Sequence, residues 1–228
     1  MIENGINEFM LNNRINKFIL NNGIKEIIGR CEYYNLECED DYFYLIDSGI
    51  ALLKQQTITG KEIILKIMKA GNIYICNKSI NDQMSLYFKE NGSVIRVSRK
   101  KLLMQKENSE LVKEINEYLL NESMKKDMML RDLLVCNKTG NFISMIIRLS
   151  NSFGKAKNDE IIIDIKLTHD ELSQCCGTTR ENISRTMKDL IEKETIEYRN
   201  SRIIIKNINQ LKDLMNCEDC PIHVCNTF

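Results

Sequence analysis

Three cysteines stand together near the C-terminus, Cys217, Cys220 and Cys225, in the run "NCEDCPIHVC". A C-x2-C pair puts two sulfurs on one small loop, and thiolates are the usual protein ligands of iron–sulfur clusters. Pro221 follows the second cysteine. It lacks a backbone N–H and has a fixed φ, so it stops the helical run "NINQLKDLMNC" and turns the chain, which brings Cys225 back toward the pair. Three sulfurs leave one cluster iron without a local cysteine. The same residues suit other chemistry as well. Tetrahedral zinc would take the three thiolates with His223, a thiol–disulfide switch would use two of them, and a tail without function is the bland reading.

The second chemical stretch is "LTHDELSQCCGTTRENISRTMKDLI", residues 167–191. Thr168 and Glu171 have capping-box spacing, and Thr178 with Glu181 repeats it, so two short helices start here. Gly177 lies between them, where a tight turn needs positive φ. Two helices joined by such a turn make a helix-turn-helix. Leu172 and Cys175 are expected to face inward on the first helix. Ile183, Met187, Leu190 and Ile191 form the buried stripe of the second. Arg180, Glu181, Ser184, Arg185 and Lys188 lie opposite. Arginine pairs bidentately with guanine and glutamate accepts from cytosine N4, and a recognition helix offers its N-terminal residues to base edges. The alternative is a solvated charged face on which Glu181 only caps. Thr168 and Thr179, at the helix starts, join the candidate DNA contacts.

These residues need elements to hold them. Upstream, "DEIIIDIKLT" reads as a strand. Downstream, "TIEYRNSRIIIKN" reads as a hairpin turning at Asn200-Ser201, a wing that places Arg199 and Arg202 near phosphates. Further back, "NFISMIIRLSNSFG" is an amphipathic helix with Phe142, Met145, Ile146, Leu149 and Phe153 inward and Gly154 at its stop. The stretch from Lys100 to Val135 has no Gly or Pro, and Leu111, Ile115, Leu119, Met124, Met128 and Leu133 recur near the helical period. One helix of about 50 Å with an apolar stripe predicts a dimer partner. The first third holds β-favouring runs, Tyr44–Ile46, Ile50–Leu53, Ile63–Ile67 and 92–99, punctuated by Gly49, Gly60 and Gly71, which predicts a sandwich or barrel. A helix is expected over "INEFMLNNRINKFIL" before it.

Composition narrows the function. The 228 residues have zero formal net charge, so DNA binding must come from a small, well-placed element and not from bulk electrostatics. No apolar run approaches the ~20 residues that cross a bilayer, and "MIENGINEFM" carries no basic region before an apolar core. A cytoplasmic location is expected, without membrane association. In a reducing compartment the nine cysteines are not a disulfide framework. Cys31, Cys38, Cys76, Cys136, Cys175 and Cys176 are expected as small buried hydrophobes. Neither His169 nor His223 has a nucleophile and an orienting carboxylate at readable spacing, so an enzyme is not expected.

"LTHDELSQCCGTTRENISRTMKDLIEKETI" resembles the winged helix of the Crp/Fnr family of bacterial transcription regulators, and the likeness extends over almost the whole chain. It implies an α+β protein. An N-terminal β-roll, the jelly roll of cyclic-nucleotide-binding domains, spans residues 1–100, and a long dimerisation helix spans 101–136. The C-terminal winged helix-turn-helix follows at 137–210, with a cysteine tail at 211–228. The resemblance implies a homodimer on palindromic DNA, working with RNA polymerase, with Glu181, Ser184 and Arg185 as an Fnr-type E-x-x-S-R reading face. Thr195 departs from the family, which usually has Gly there, and is expected to shift the wing slightly without abolishing DNA binding. Cyclic nucleotide is not expected. The region "AGNIYICNKSINDQMSLYFKENGSVIRVSR" lacks F-G-E and R-x-A, and Arg96 and Arg99 stand on a later strand. The tail is similar to that of the Fnr of bacilli. That similarity implies a [4Fe–4S] cluster on Cys217, Cys220 and Cys225, completed by Asp132 near the end of the dimer helix, with Asp127 the second choice, and control by oxygen or nitric oxide. The alternative is a regulator that senses a small effector in the β-roll. Its tail cysteines would then be a thiol switch or a structural zinc site, with His223 or Asp132 as fourth zinc ligand.

Overall fold

The computed structural model describes residues 13–36, 41–76, 83–104 and 109–227. The first half of the expected N-terminal helix, Cys38 and residues 77–82 lie outside these. The chain forms two compact units, Met1–Tyr118 and Leu119–Thr227.

In the first unit, α1 (Arg14–Asn22) is capped by Asn13, whose side chain accepts from the Asn16 N–H. Two antiparallel four-stranded sheets follow. One has β1 (Ile24–Ile28), β8 (Gly92–Ser98), β3 (Tyr42–Ser48) and β6 (Ile73–Cys76) in spatial order. The other has β2 (Tyr33–Asn35), β7 (Gln83–Phe88), β4 (Ile50–Gln56) and β5 (Glu62–Lys69). Side chains alternate between faces with the period of two that pleated strands impose. Tyr44 and Ile46 join Leu53, Met68, Leu86 and Phe88 in one core. Phe43 and Leu45 point the other way, into a second core with Ile15, Phe18, Ile19, Leu111 and Ile115. The expected strands are present, and Gly49, Gly60 and Gly71 fall between them. Arg96 is paired with Glu26 and Arg99 with Asp41.

The single helix expected from Lys100 is divided. Arg99–Leu103 forms a short α2 ending at Met104, and α3 runs Ser109–Val135, about 40 Å at 1.5 Å per residue. Its expected stripe divides too. Leu111 and Ile115 are buried, whereas Leu119, Met124 and Leu133 are about half exposed, as is Leu130, and Leu120, Leu134 and Val135 are more exposed still. Of the expected stripe, the fully buried residues lie in the first turns of α3.

In the second unit, α4 (Lys138–Phe153) buries all five residues expected inward. Gly154 ends it in extended backbone with no positive φ. What demands glycine is closeness, because a Cβ there would stand 2.2 Å from the Ser150 carbonyl oxygen. The sheet that follows has the order β11 (Ile196–Arg199), β12 (Arg202–Ile205), β10 (Glu160–Ile163), β9 (Gly154–Lys157). The helix pair α5 (His169–Cys176) and α6 (Arg180–Glu192) precedes the β11–β12 hairpin, and α7 (Ile208–Met215) leads to the tail.

Several burial expectations change. Cys31 is exposed, Cys136 and Cys175 are half-buried, and Cys76 and Cys176 are the buried thiols among those described. Cys176, one residue beyond the expected Cys175, therefore takes the inward place on α5, and burial pushes its thiol up to about 12. Ile191, at the edge of the α6 stripe, is 40% exposed, and Thr186 is buried instead.

Candidate nucleic-acid interface and cysteine centre

The helix-turn-helix is built by its caps. Thr168 and Glu171 form a reciprocal capping box at α5, with the Glu171 N–H donating to Thr168 Oγ1 and the Thr168 N–H donating to Glu171. Gly177 closes α5 in the left-handed region, φ 60°. The second cap is Thr179 and not Thr178, since the Asn182 N–H donates to Thr179 Oγ1. The cap thus stands one residue beyond the expected Thr178–Glu181 box, with Asn182 and not Glu181 at the third helical position. Thr178 instead accepts from the Asn182 amide. The Glu181 carboxyl is lowered by its own backbone N–H and by the Thr179 hydroxyl.

Ile183, Met187 and Leu190 pin α6 inward. Arg180, Glu181, Arg185 and Lys188 are exposed, and Ser184 is half-buried. Each charged side chain has only a light local restraint. Arg180 lies 3.6 Å from Asp170, Arg185 donates to Asn182, and Lys188 lies 3.7 Å from Glu192. Exposed pairs of this kind are worth about 0–1 kcal/mol, so a phosphate or base edge competes for these side chains easily.

The wing turns at Asn200 and Ser201, both with positive φ, 53° and 60°. Two such residues in a two-residue loop match the right-handed twist of the hairpin. Arg199 and Arg202 face each other across it, one held by Glu197 and the other by Asp164. Thr195 stands where the β11–β12 hairpin begins and ends. Its side chain is fully buried, and its carbonyl accepts from the Lys206 N–H. The left-handed residue is its neighbour Glu194, φ 53°.

The cysteine centre lies within the same unit. Cys217, Cys220 and Cys225 line one cavity of about 370 Å³ with Asp132, Arg131 and Cys136. Burial raises the Cys225 thiol, partly offset by the Arg148 guanidinium, and the two other tail cysteines raise it further. Asp132 is buried at the wall and fully engaged. Its Oδ2 accepts from Ser144 at 2.6 Å and from Arg148 at 2.8 Å, and its Oδ1 accepts from Arg131 at 3.2 Å. Burial alone would raise its carboxyl, but the Arg148 and Ser144 hydrogen bonds prevail and lower it. Asp127 is exposed on α3 and does not line the cavity, and His223 is exposed. Among the described residues, no three His, Cys, Asp or Glu converge closely enough to hold a single metal ion.

Residues overlooked in the sequence complete this centre. Arg148, 4% exposed, also donates to the Val224 carbonyl. Asn151 donates to the Cys225 carbonyl at 2.7 Å, and Ser152 accepts from the Thr227 N–H at 2.9 Å. Thus α4 fastens the tail through main-chain groups. Lys212–Asp219 and Arg131–Glu218 pairs hold the loop before it. The signal for Arg148 was present: a basic residue within the buried stretch "MIIRLS" requires a buried acid or carbonyl partner.

A Crp-like helix-turn-helix domain matches residues 142–214. The Anaerobic regulatory protein of Bacillus subtilis (strain 168) is 32% identical over 189 residues, 80% of this chain and 79% of that protein. A Global nitrogen regulator of Synechococcus elongatus is 25% identical over 72% of this chain and 77% of its own. Among solved structures, a CooA mutant from Carboxydothermus hydrogenoformans superposes with a TM-score of 0.73 at 17% identity, covering 90% of this chain and 93% of that one. FixK2 from Bradyrhizobium japonicum gives a TM-score of 0.69 at 14% identity, covering 84% and 96%. These two show the shared fold, and the Bacillus relative carries the assignment: the chain belongs to the Crp/Fnr family of DNA-binding transcription regulators.

Proposed function

We propose that this regulator is controlled by oxygen or nitric oxide through a [4Fe–4S] cluster held by Cys217, Cys220 and Cys225, with Asp132 as the oxygen ligand. The observation that carries it is the placement of three tail thiols and a buried carboxylate on the wall of one cavity. The donor set fits. A mononuclear zinc site needs its ligands to meet around one point, with sulfur about 2.3 Å from the metal, and no such convergence is present among the described residues. A cluster spreads its thiolates over several irons and does not need them to meet around one ion. When bound, it supplies gas- and redox-sensitive iron chemistry.

The protein's own part is an exchange of partners. As it stands, Asp132 is neutralised by Arg148, and Arg148 also holds the Val224 carbonyl. Turning the Asp132 carboxylate toward the thiols withdraws it from Arg148 and couples the tail to α3. The exposed apolar residues of α3, from Leu119 to Val135, form the surface proposed for homodimerisation. The dimer would present two α6 helices to a palindromic site and work with RNA polymerase. Arg180, Glu181, Ser184, Arg185 and Lys188 approach base edges, while Thr168, Thr179, Arg199 and Arg202 approach phosphates. The β-roll is not assigned a cyclic nucleotide.

The test is anaerobic purification followed by iron, sulfide and zinc assays and DNA binding before and after air. Expected are iron and sulfide with broad absorption near roughly 400 nm, DNA binding that falls in air, and a more labile cluster in Asp132→Ala. Colourless protein with stoichiometric zinc, or equal DNA binding in both conditions, overturns the reading.

A further inference from the structure

Ser184 does not stand alone on the recognition helix. Its Oγ lies 2.8 Å from Nδ1 of His169, the first residue of α5. The imidazole packs against the Tyr198 ring of the wing at 5.2 Å between centroids, and the Tyr198 hydroxyl is fixed on the Leu167 carbonyl at 3.0 Å. His169 Nε2 is buried with no hydrogen-bond partner among the described residues.

These contacts decide which way the hydrogen bond runs. If Nδ1 accepted from Ser184, the neutral ring would carry its proton on Nε2, leaving a buried N–H unsatisfied. An orphaned buried N–H is the rarer defect, and a bare nitrogen lone pair is the lesser cost. The favoured ring therefore carries the proton on Nδ1 and donates it to Ser184 Oγ. A serine hydroxyl has one donor and two acceptor sites. With one lone pair taken by His169, its own O–H is free to donate outward. Had the bond run the other way, Ser184 would offer lone pairs only.

We infer that His169 is a positioning residue for base reading: by donating from Nδ1 it leaves the Ser184 O–H free to donate toward DNA, so that Ser184 can reach the keto oxygen of guanine or thymine, which an accepting partner in the place of His169 would deny it. In the major groove guanine O6 and thymine O4 accept, whereas cytosine N4 donates. This rests on the reading above that Ser184 approaches a base edge. It adds to the E-x-x-S-R face a residue from the other helix, outside the candidate base contacts.

The test uses the full-length protein, kept anaerobic, with a duplex pool randomised over one half-site and sequenced after selection. Ser184→Ala marks the position that Ser184 reads, by loss of base preference there. His169→Asn, which can offer an N–H at the same place, should keep the unaltered ratio of G or T to C at that position. His169→Asp can only accept there, so Ser184 must donate to it, and the ratio should fall by about 3- to 10-fold, the scale of one net hydrogen bond, turning toward C or A with other positions unchanged. Asp is also favourable in a first helical turn. Combining His169→Asp with Ser184→Ala should match Ser184→Ala alone. An unmoved ratio in His169→Asp, or the same fall in His169→Asn, overturns the role of His169. If Ser184→Ala alters no position, the base-reading assignment fails, and the inference fails with it.

Discussion

Arg148 is the side chain on which the cysteine centre turns. It is buried, its main countercharge is Asp132, and a single guanidinium joins α3, α4 and the tail. Breaking a buried pair by removing one partner costs about 3–5 kcal/mol. Asp132→Asn in the reduced, metal-free protein should therefore lower the unfolding midpoint of the second unit, read by denaturant titration, with Asp127→Asn near the unaltered value. The same pair predicts a pH dependence. The folded Asp132 carboxyl is lowered, so its stabilisation is fully present above the ordinary carboxylate value of about 3.9. It is lost as pH falls through the lowered value. Denaturant midpoints measured from pH 6 downward should drop less in Asp132→Asn than in the unaltered chain. At this scale the sequence was partly legible. The three tail cysteines announced themselves by spacing, while Asp132 had no local signal and came from resemblance. Its bonds to Arg148 and Ser144 span 16 and 12 residues, beyond what any helical spacing reveals.

Among the elements, the caps were the clearest text. Thr168 and Glu171 form the box that their spacing announces, and Gly177 takes the left-handed place after α5. The second cap was misplaced because two adjacent threonines both fit, and Asn182 settles the choice by donating to each from different groups. Thr168→Ala should destabilise the second unit by about 1 kcal/mol, whereas Thr178→Ala, which removes only a half-buried side-chain bond, should cost less. Comparing the two by thermal melts checks the assignment. Strand β9 was illegible. Its sequence "GKAK" has little β-propensity, and it is a strand only because β10 offers it an edge. The wing was legible because Asn200-Ser201 is short and polar between two β-branched runs. The division after Leu103 was hidden, since no Gly or Pro marks it.

The whole molecule has no net charge to spend on DNA, so its affinity must be concentrated in a few side chains. Salt dependence should show this directly. Arg199→Ala and Arg202→Ala should each lower affinity for all sequences alike and flatten the log–log salt slope by about 0.9 for each phosphate no longer neutralised. Neither should change base preference. The exposed apolar run of α3 makes the companion prediction at assembly scale. Leu133→Glu places a charge within this run and should shift sedimentation from dimer to monomer while leaving far-ultraviolet circular dichroism unchanged. Affinity for a palindromic site should fall toward that of a single half-site. The order of a β-rich first third, a long helix and a helix-turn-helix with its wing was readable from the texture of the chain, while the β-roll came from resemblance. The outer turns of α3 were not readable as core or surface, because their periodicity is the same whether the partner is this chain or another copy.

The tail is fastened to α4 by three main-chain groups, the carbonyls of Val224 and Cys225 and the N–H of Thr227. Bonds to the backbone recognise position along the chain more than side-chain identity. In a saturation library, exposed Ile222 and His223 should accept most replacements. Deleting one residue between Cys220 and Cys225 would instead move each fastened group out of step with Arg148, Asn151 and Ser152. The segment should therefore tolerate spelling changes and resist changes of length.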